Sequence, residues 1–322
     1  MWLLLFILVL LAGIELFYFR IADRFNIIDK PNERSSHKRI TLRGGGVIFL
    51  FGAWLYAAFY GFQYPWFLAG LTLIAAISFA DDVHSISNKI RIVVHFAAML
   101  LMFYQLGLFS AGQGWYLFLA WIVCTGIINA YNFMDGINGI TGGYSLAVLA
   151  PLAVVNVREQ FVDPPLIYVT VLSALVFCWF NFRPKARCFA GDVGAVSMAF
   201  ILLFMLGTLI LRTGNLCYLV FLVVYGVDSV LTICHRLLLR ENIFEAHRKH
   251  AYQLMANELK IPHVVVSAVY ALLQVVISFG AIYLPVNGWV YFGIVVVLLS
   301  IAYVLFKMKY YCLHEAYLQT KR

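Results

Sequence analysis

Charge is what this chain has least of. Only 12% of its 322 residues are Asp, Glu, Lys or Arg, about half the share of a soluble domain, and 63% are hydrophobic. A soluble fold of this length has no way to hide so much apolar surface, so a water-soluble enzyme or binding module is excluded. A C-x-x-C pair is lacking too. Of Cys124, Cys178, Cys188, Cys217, Cys234 and Cys312, four lie inside apolar runs, which argues against a disulfide framework or a zinc site. There is no G-x-x-x-x-G-K-[ST] phosphate loop. Residues 1–19 have neither a basic leader nor a small-residue cleavage site, so they are expected to stay as a first helix rather than act as a removed signal. No low-complexity stretch, internal repeat or linker is visible. A single integral membrane domain over 1–322 is expected.

What the chain does have is long apolar runs. A helix crossing about 30 Å of hydrocarbon needs roughly 20 apolar residues. About eleven runs qualify: 1–19, 45–62, 65–80, 92–110, 115–131, 139–156, 164–182, 194–211, 215–234, 262–284 and 286–306, with 65–80 the shortest. The expected fold is all-α and polytopic. If the spans alternate, 21 of the 23 Lys and Arg fall on one side and only Arg158 and Arg212 on the other. Positive charge marks the cytoplasmic side, so the N-terminus is expected outside and the C-terminus in the cytoplasm. The net charge of +8 then reflects topology rather than nucleic acid binding. The expected cytoplasmic loops are 20–44, 81–91, 132–138, 183–193 and 235–261.

The same topology gathers five carboxylates at one face: Asp81, Asp82, Asp135, Asp192 and Asp228. Ionisable groups near lipid are costly and usually functional. Asp81 and Asp82 end the third span in FADDVHSISNKIR. Adjacent carboxylates repel unless a cation joins them, and Mg²⁺ prefers oxygen ligands shared with phosphate. Lys89 and Arg91 follow as candidate phosphate contacts; a charged hairpin capping the next helix explains the same letters. In NAYNFMDGINGITGG, a helical turn would bring Asp135 and Asn138 to one face, with Asn129 and Asn132 at the same spacing upstream. Small-residue helix packing accounts for those glycines but not for the amides and the carboxylate.

Asp192, in FAGDVG, reads either as a helix N-cap or as a metal ligand. Asp228 reads either as a site residue or as a buried Asp paired with a neighbouring helix. His247 and His250 flank Arg248 and Lys249 in EAHRKHAYQL. No second His or Cys cluster completes a zinc site, and His with Arg suits phosphate contact; a solvated basic loop is the plainer alternative. Gly44, Gly45 and Gly46 could expose backbone N–H groups to phosphate. Carboxylates, amides and basic groups at one face of a lipid-soluble body suit a water-soluble phosphate donor meeting a lipid acceptor.

In this order, Asp81-Asp82 with Lys89, N-x-x-N-x-x-D-G-x-x-G from Asn129 to Gly139, Gly191-Asp192-x-Gly194 and the loop His247–His250 resemble the polyprenyl-phosphate N-acetylhexosamine-1-phosphate transferases, the MraY/WecA superfamily, over roughly 20–260. The resemblance implies Mg²⁺, a UDP-N-acetylamino sugar and undecaprenyl phosphate as partners, release of UMP, and a bacterial inner (cytoplasmic) membrane location with the site on the cytoplasmic face. It implies that Asp81 activates the lipid phosphate, Asp82 assists at metal or phosphate, and Asp192 holds Mg²⁺. Asn132, Asp135 and Asn138 would hold the nucleotide or orient the metal site, and Lys89, His247, Arg248 and His250 would bind substrate. Monomer and homodimer stay open.

The chain departs from the peptidoglycan branch, which has a histidine run where this chain has His247-Arg248-Lys249-His250. It also has Asn138 where many relatives have a second Asp. Arg34-Ser35-Ser36-His37 and Arg43-Gly44-Gly45-Gly46 look like the branch that starts O-antigen and capsule chains. The rival from another class is a polyprenyl-lipid transporter or flippase. Transporters bind near the midplane and often carry inverted repeats, whereas this polar set lies at one face.

Overall fold

The structure is a computed structural model that describes residues 2–29, 40–111, 114–243, 245 and 247–319. Within them the chain is a helical bundle: α1 (Trp2–Arg24), α2 (Ile48–Tyr60), α3 (Pro65–Val83), α4 (Asn88–Gln105), α5 (Gly114–Met134), α6 (Ile140–Glu159), α7 (Pro164–Asn181), α8 (Gly191–Thr213), α9 (Val223–Leu238), α10 (Ala251–Asn257), α11 (His263–Tyr283) and α12 (Gly288–Gln319). Short 3-10 turns lead into α2 and α9. Every expected span contains a helix. Among the described residues nine helical segments are long and apolar enough to cross a bilayer, and α2 with its leading turn is shorter. The protein is an all-α polytopic membrane protein. Hydrocarbon offers no hydrogen bonds, so long apolar runs close their backbone groups internally, and helix is the form that does so within one segment.

The third span is longer than expected. Pro at the first position of α3 starts the helix, and the helix runs on through Asp81 and Asp82 to Val83. α8 is the axis of the bundle, with nearly all its residues enclosed, whereas α12 faces mostly outward. Lipid tails are as apolar as the side chains, so contacts between spans rely on close fit. Phe67 of α3 stacks on Phe204 of α8 at 4.2 Å. A Cβ on Gly46 would lie 2.2 Å from the Gly194 Cα, so the turn before α2 packs backbone to backbone on the start of α8. Tyr144 of α6 donates to Gln274 of α11 at 2.6 Å in the buried interior.

One small ribbon interrupts the helices. β1 (Ile28–Asp29) pairs antiparallel with β2 (Thr41–Leu42), and Leu42 bridges to Cys188. This ribbon ties the end of α1 and the glycine turn to the strand of chain entering α8. The expected Arg34–His37 contribution lies outside the described residues.

Candidate active site

Four segments far apart in sequence meet at one end of the bundle. Asp81 and Asp82 sit on the last turn of α3. Successive helical residues point about 100° apart, so the two carboxylates leave the helix in different directions. Asp82 turns inward and its side chain is fully enclosed. Its oxygens accept from the backbone N–H groups of Asp192 at 3.0 Å and Val193 at 2.9 Å, and one of them meets the Arg43 Nε at 2.7 Å. These N–H groups are among the orphan donors of the α8 N-terminus. Asp82 therefore caps α8 from another helix, and the partial positive charge of the helix start favours its carboxylate.

This removes the N-cap reading of Asp192. It lies inside the first turn of α8 and makes no N-cap bond; Asp82 supplies the cap. Asp192 is left free to project outward, where it accepts from Arg43 at 3.3 Å and Arg91 at 3.1 Å. Asp81 pairs with Arg91 at 2.6 Å, and its other oxygen accepts from the Ile86 N–H at 2.7 Å, closing the α3–α4 turn. Arg43 thus joins Asp82 to Asp192, and Arg91 joins Asp81 to Asp192. Three carboxylates face two guanidinium groups, which leaves one negative charge in excess. Burial works against the Arg43 charge, but Asp82 and Asp192 hold its guanidinium above the ordinary value.

The glycine turn has a different job from the one expected. Gly45 and Gly46 donate their N–H groups to the carbonyls of Phe189 at 2.9 Å and Ala190 at 3.1 Å. Those donors are spent on tertiary packing and offer nothing to phosphate. Gly44 and Gly191 have φ of +80° and +70°, a conformation that favours glycine, and a Cβ on Gly191 would stand 2.6 Å from an Asp82 oxygen. The turn serves to bring Arg43 onto Asp82.

Asp135 and Asn138 do not share a helical face. α5 stops at Met134 and α6 starts at Ile140, with a non-helical turn between them ending at Gly139, whose φ is +87°. Asp135 accepts from the Thr141 hydroxyl at 2.6 Å. Burial, with the Asp192 charge a lesser contributor, pushes its carboxyl up to about 6. Asn138 points elsewhere: its amide donates to the carbonyls of Arg183 at 2.9 Å and Pro184 at 3.2 Å, so it fixes the loop before α8. Asn132 lies in the last turn of α5, and Lys89 is exposed on the first turn of α4.

The late loop packs against the Asp135 turn. Tyr252 donates to the Phe133 carbonyl at 2.8 Å and lies close over Gly136. The His247 and His250 rings stack 5.0 Å apart, each a little over 6 Å from the Phe133 ring. Burial, with nearby cations, drives the His247 imidazole down to about 3, so it stays neutral. Arg248 meets Glu258 at 3.0 Å, and Glu258 also meets His314 of α12 at 2.8 Å. Lys249 pairs with Glu241, and Lys307 of α12 donates to the Lys249 carbonyl. α12 has 32 residues, more than the roughly 20 a crossing needs, and its last turns brace this loop.

Sequence reasoning named Arg91 as a phosphate contact but not as the link between Asp81 and Asp192, and it passed over Arg43 as a member of the cluster. The available signal was the place of the two arginines: one immediately before the glycine turn, the other ten residues after Asp81. Among the described residues no three His, Cys, Asp or Glu side chains converge into an all-protein metal cage. Mg²⁺ rarely asks for one; it is usually held by one or two carboxylates plus substrate phosphates. Asp192, partly exposed in a cluster with excess negative charge, fits that demand.

A carboxylate and arginine cluster at one end of a lipid-embedded bundle has the chemistry that a membrane enzyme acting on phosphate would need. Residues 64–211 match glycosyl transferase family 4. The chain is thus similar to this family and to undecaprenyl-phosphate N-acetylglucosaminyl 1-phosphate transferases. It is 26% identical over 262 residues, 74% of this chain and 72% of the relative, to the probable undecaprenyl-phosphate N-acetylglucosaminyl 1-phosphate transferase of Bacillus subtilis strain 168. It is 24% identical over 248 residues, 74% of this chain and 76% of the relative, to the undecaprenyl-phosphate alpha-N-acetylglucosaminyl 1-phosphate transferase of Thermotoga maritima. A shorter stretch of 79 residues, 24% of this chain and 22% of the relative, is 39% identical to the phospho-N-acetylmuramoyl-pentapeptide-transferase of Deinococcus radiodurans.

Proposed function

We propose that this protein transfers an N-acetylhexosamine-1-phosphate from a UDP-sugar to undecaprenyl phosphate, releasing UMP, as the first step of an O-antigen or related surface glycan. The observation that carries the reading is the cluster of Asp81, Asp82 and Asp192 with Arg43 and Arg91 at one end of an apolar bundle. The long matches to N-acetylglucosaminyl 1-phosphate transferases, against the short match to a pentapeptide transferase, favour the surface-glycan branch. The one-ended polar cluster favours an enzyme over a transporter, whose site would lie near the midplane. The excess of Lys and Arg expected at the same end supports a site at the cytoplasmic face of the inner membrane, with the N-terminus outside.

In this reading Asp81 takes the proton from the acceptor phosphate. A phosphate oxygen then attacks the sugar-bearing phosphorus of the donor directly, and the bond to the bridging oxygen breaks to release UMP. Arg43 and Arg91 hold phosphate oxygens as they exchange Asp192 for substrate. Asp82 keeps Asp192 in place, and the loop of His247, Arg248 and His250 receives the donor beside Asp135. Mg²⁺, held by Asp192 and the diphosphate, would neutralise charge on the departing UMP. Positioning and neutralisation are most of what phosphoryl transfer asks of a protein.

UMP release by purified protein with undecaprenyl phosphate, Mg²⁺ and a panel of UDP-N-acetylamino sugars tests this. Release with one sugar, abolished by EDTA, is expected. Folded protein that releases no UMP with any of them would overturn the reading.

A further inference from the structure

Asp228 is used by nothing in the mechanism above, yet it is among the most heavily bonded side chains in the molecule. It is buried on α9 and accepts from the Tyr270 hydroxyl of α11 at 2.7 Å, from the Ala251 N–H at 3.0 Å and the Tyr252 N–H at 3.4 Å, and from Thr232 at 3.2 Å. The same oxygen that serves Ala251 lies 3.3 Å from the His250 Nδ1. A carboxylate that only balanced the start of α10 would need the two backbone contacts alone. The fifth contact selects one nitrogen of one ring.

We propose that Asp228 is a positioning residue for the transfer: it holds His250 by Nδ1 and thereby presents Nε2 as the ring's free acceptor toward the substrate. A carboxylate accepts, so Nδ1 must carry the hydrogen, and in the neutral ring the lone pair then lies on Nε2. His250 Nε2 is buried and makes no hydrogen bond among the described residues. It lies on the ring edge away from Asp228, and the ring itself is flanked by His247 and Phe133, next to the turn that carries Asp135. An acceptor left unpaired in an enclosed place is costly. It is relieved when a ligand brings an O–H or N–H, which a nucleotide sugar has and a bare phosphate dianion lacks. His250 therefore reads the sugar or base of the donor, while arginines take the phosphates. The backbone of Tyr252 hangs from the same carboxylate, and its hydroxyl reaches the Phe133 carbonyl, so Asp228 also sets the register between the late loop and the Asp135 turn.

The inference rests on the phosphotransferase reading, but its first test does not need turnover. The full chain is labelled with ¹⁵N-histidine and the His250 signal is assigned by its loss in His250→Gln. The expected spectrum has hydrogen on Nδ1 and a bare Nε2; hydrogen on Nε2 in the neutral ring would overturn the proposal, whether or not the protein releases UMP. The second test is a double-mutant cycle on donor kcat/KM. Asp228→Asn is expected to lower it by roughly 10–100-fold, as loss of a ligand-orienting partner does elsewhere. In a His250→Gln background the same change should cost less than about twofold, because the residue acts through the ring. Fully additive losses would reduce Asp228 to a general structural role and sink the idea. If Asp228→Asn does not fold, the wild-type spectrum decides alone.

Discussion

Two helix starts in this molecule are capped from outside, and they are capped differently. The N-terminus of α8 is held by Asp82 of α3, and that of α10 by Asp228 of α9. In both cases the residue that the cap steadies is a candidate functional group, Asp192 in one and His250 in the other. At α8 the capping carboxylate is balanced by Arg43, a cation at any pH. At α10 it is balanced by a histidine and two hydroxyls. The first arrangement fixes a cluster of charge, which in the proposed reading serves phosphates and Mg²⁺. The second fixes the direction of an imidazole ring. The same device therefore builds an electrostatic half-site and a hydrogen-bonding half-site.

The sharpest way to break this comparison is Asp82→Ala. It removes the acceptor of two helix N–H groups and leaves the partly buried Arg43 with Asp192 alone. Removing one partner of a buried ion pair costs about 3–5 kcal/mol. A large drop in the apparent Tm of detergent-purified protein is expected; an unchanged Tm would mean that Asp82 is not the cap described. Asp81→Asn is the contrast. Asp81 is partly exposed on its Arg91 contact, and an amide keeps the Ile86 N–H bond. Folding should survive, and kcat should fall by roughly 10²-fold with little change in donor KM, the size expected when a general base is lost. A variant that changes KM alone would make Asp81 a binding group.

That contrast was invisible in the sequence. Asp81 and Asp82 are neighbouring letters with the same chemistry, and only the 100° turn between them sends one into α8 and the other toward Arg91. The spans could be read directly, because each needs its own continuous apolar run and that need is local. So could the gathering of the carboxylates at one end of the bundle, because alternating spans return the chain there. The glycine turn was misread for the opposite reason. Whether the N–H groups of Gly45 and Gly46 are free depends on Phe189 and Ala190, more than 140 residues away. The break of helix at Asp135 to Gly139 likewise defeats spacing arguments: Asn138 sits three residues from Asp135 but reaches Arg183 and Pro184. Local rules found the elements and the residues that gather at this end; the partners that hold Asp82, Asp192 and Asn138 there are long-range.

The smallest effect expected concerns the seam between the two half-sites, where Asp135 sits. Its carboxyl is raised from the ordinary value of 3.8 to about 6, mainly by burial. Between about pH 4 and 6 the folded protein then keeps a proton that the unfolded chain has released. Stability falls as pH rises through that window, by about 3 kcal/mol at most, and the loss is complete above the folded value. Other groups titrate nearby, so the comparison is with Asp135→Asn, which has no proton to lose. The apparent Tm of the wild type, relative to the variant, should fall from pH 4 to pH 6 and level off above it. Equal slopes for the two proteins would show that the carboxyl is ionised throughout, and with it that an unseen cation or donor faces Asp135. A UMP-release rate that rises through pH 6 in the wild type alone would add that the ionised form is the working one.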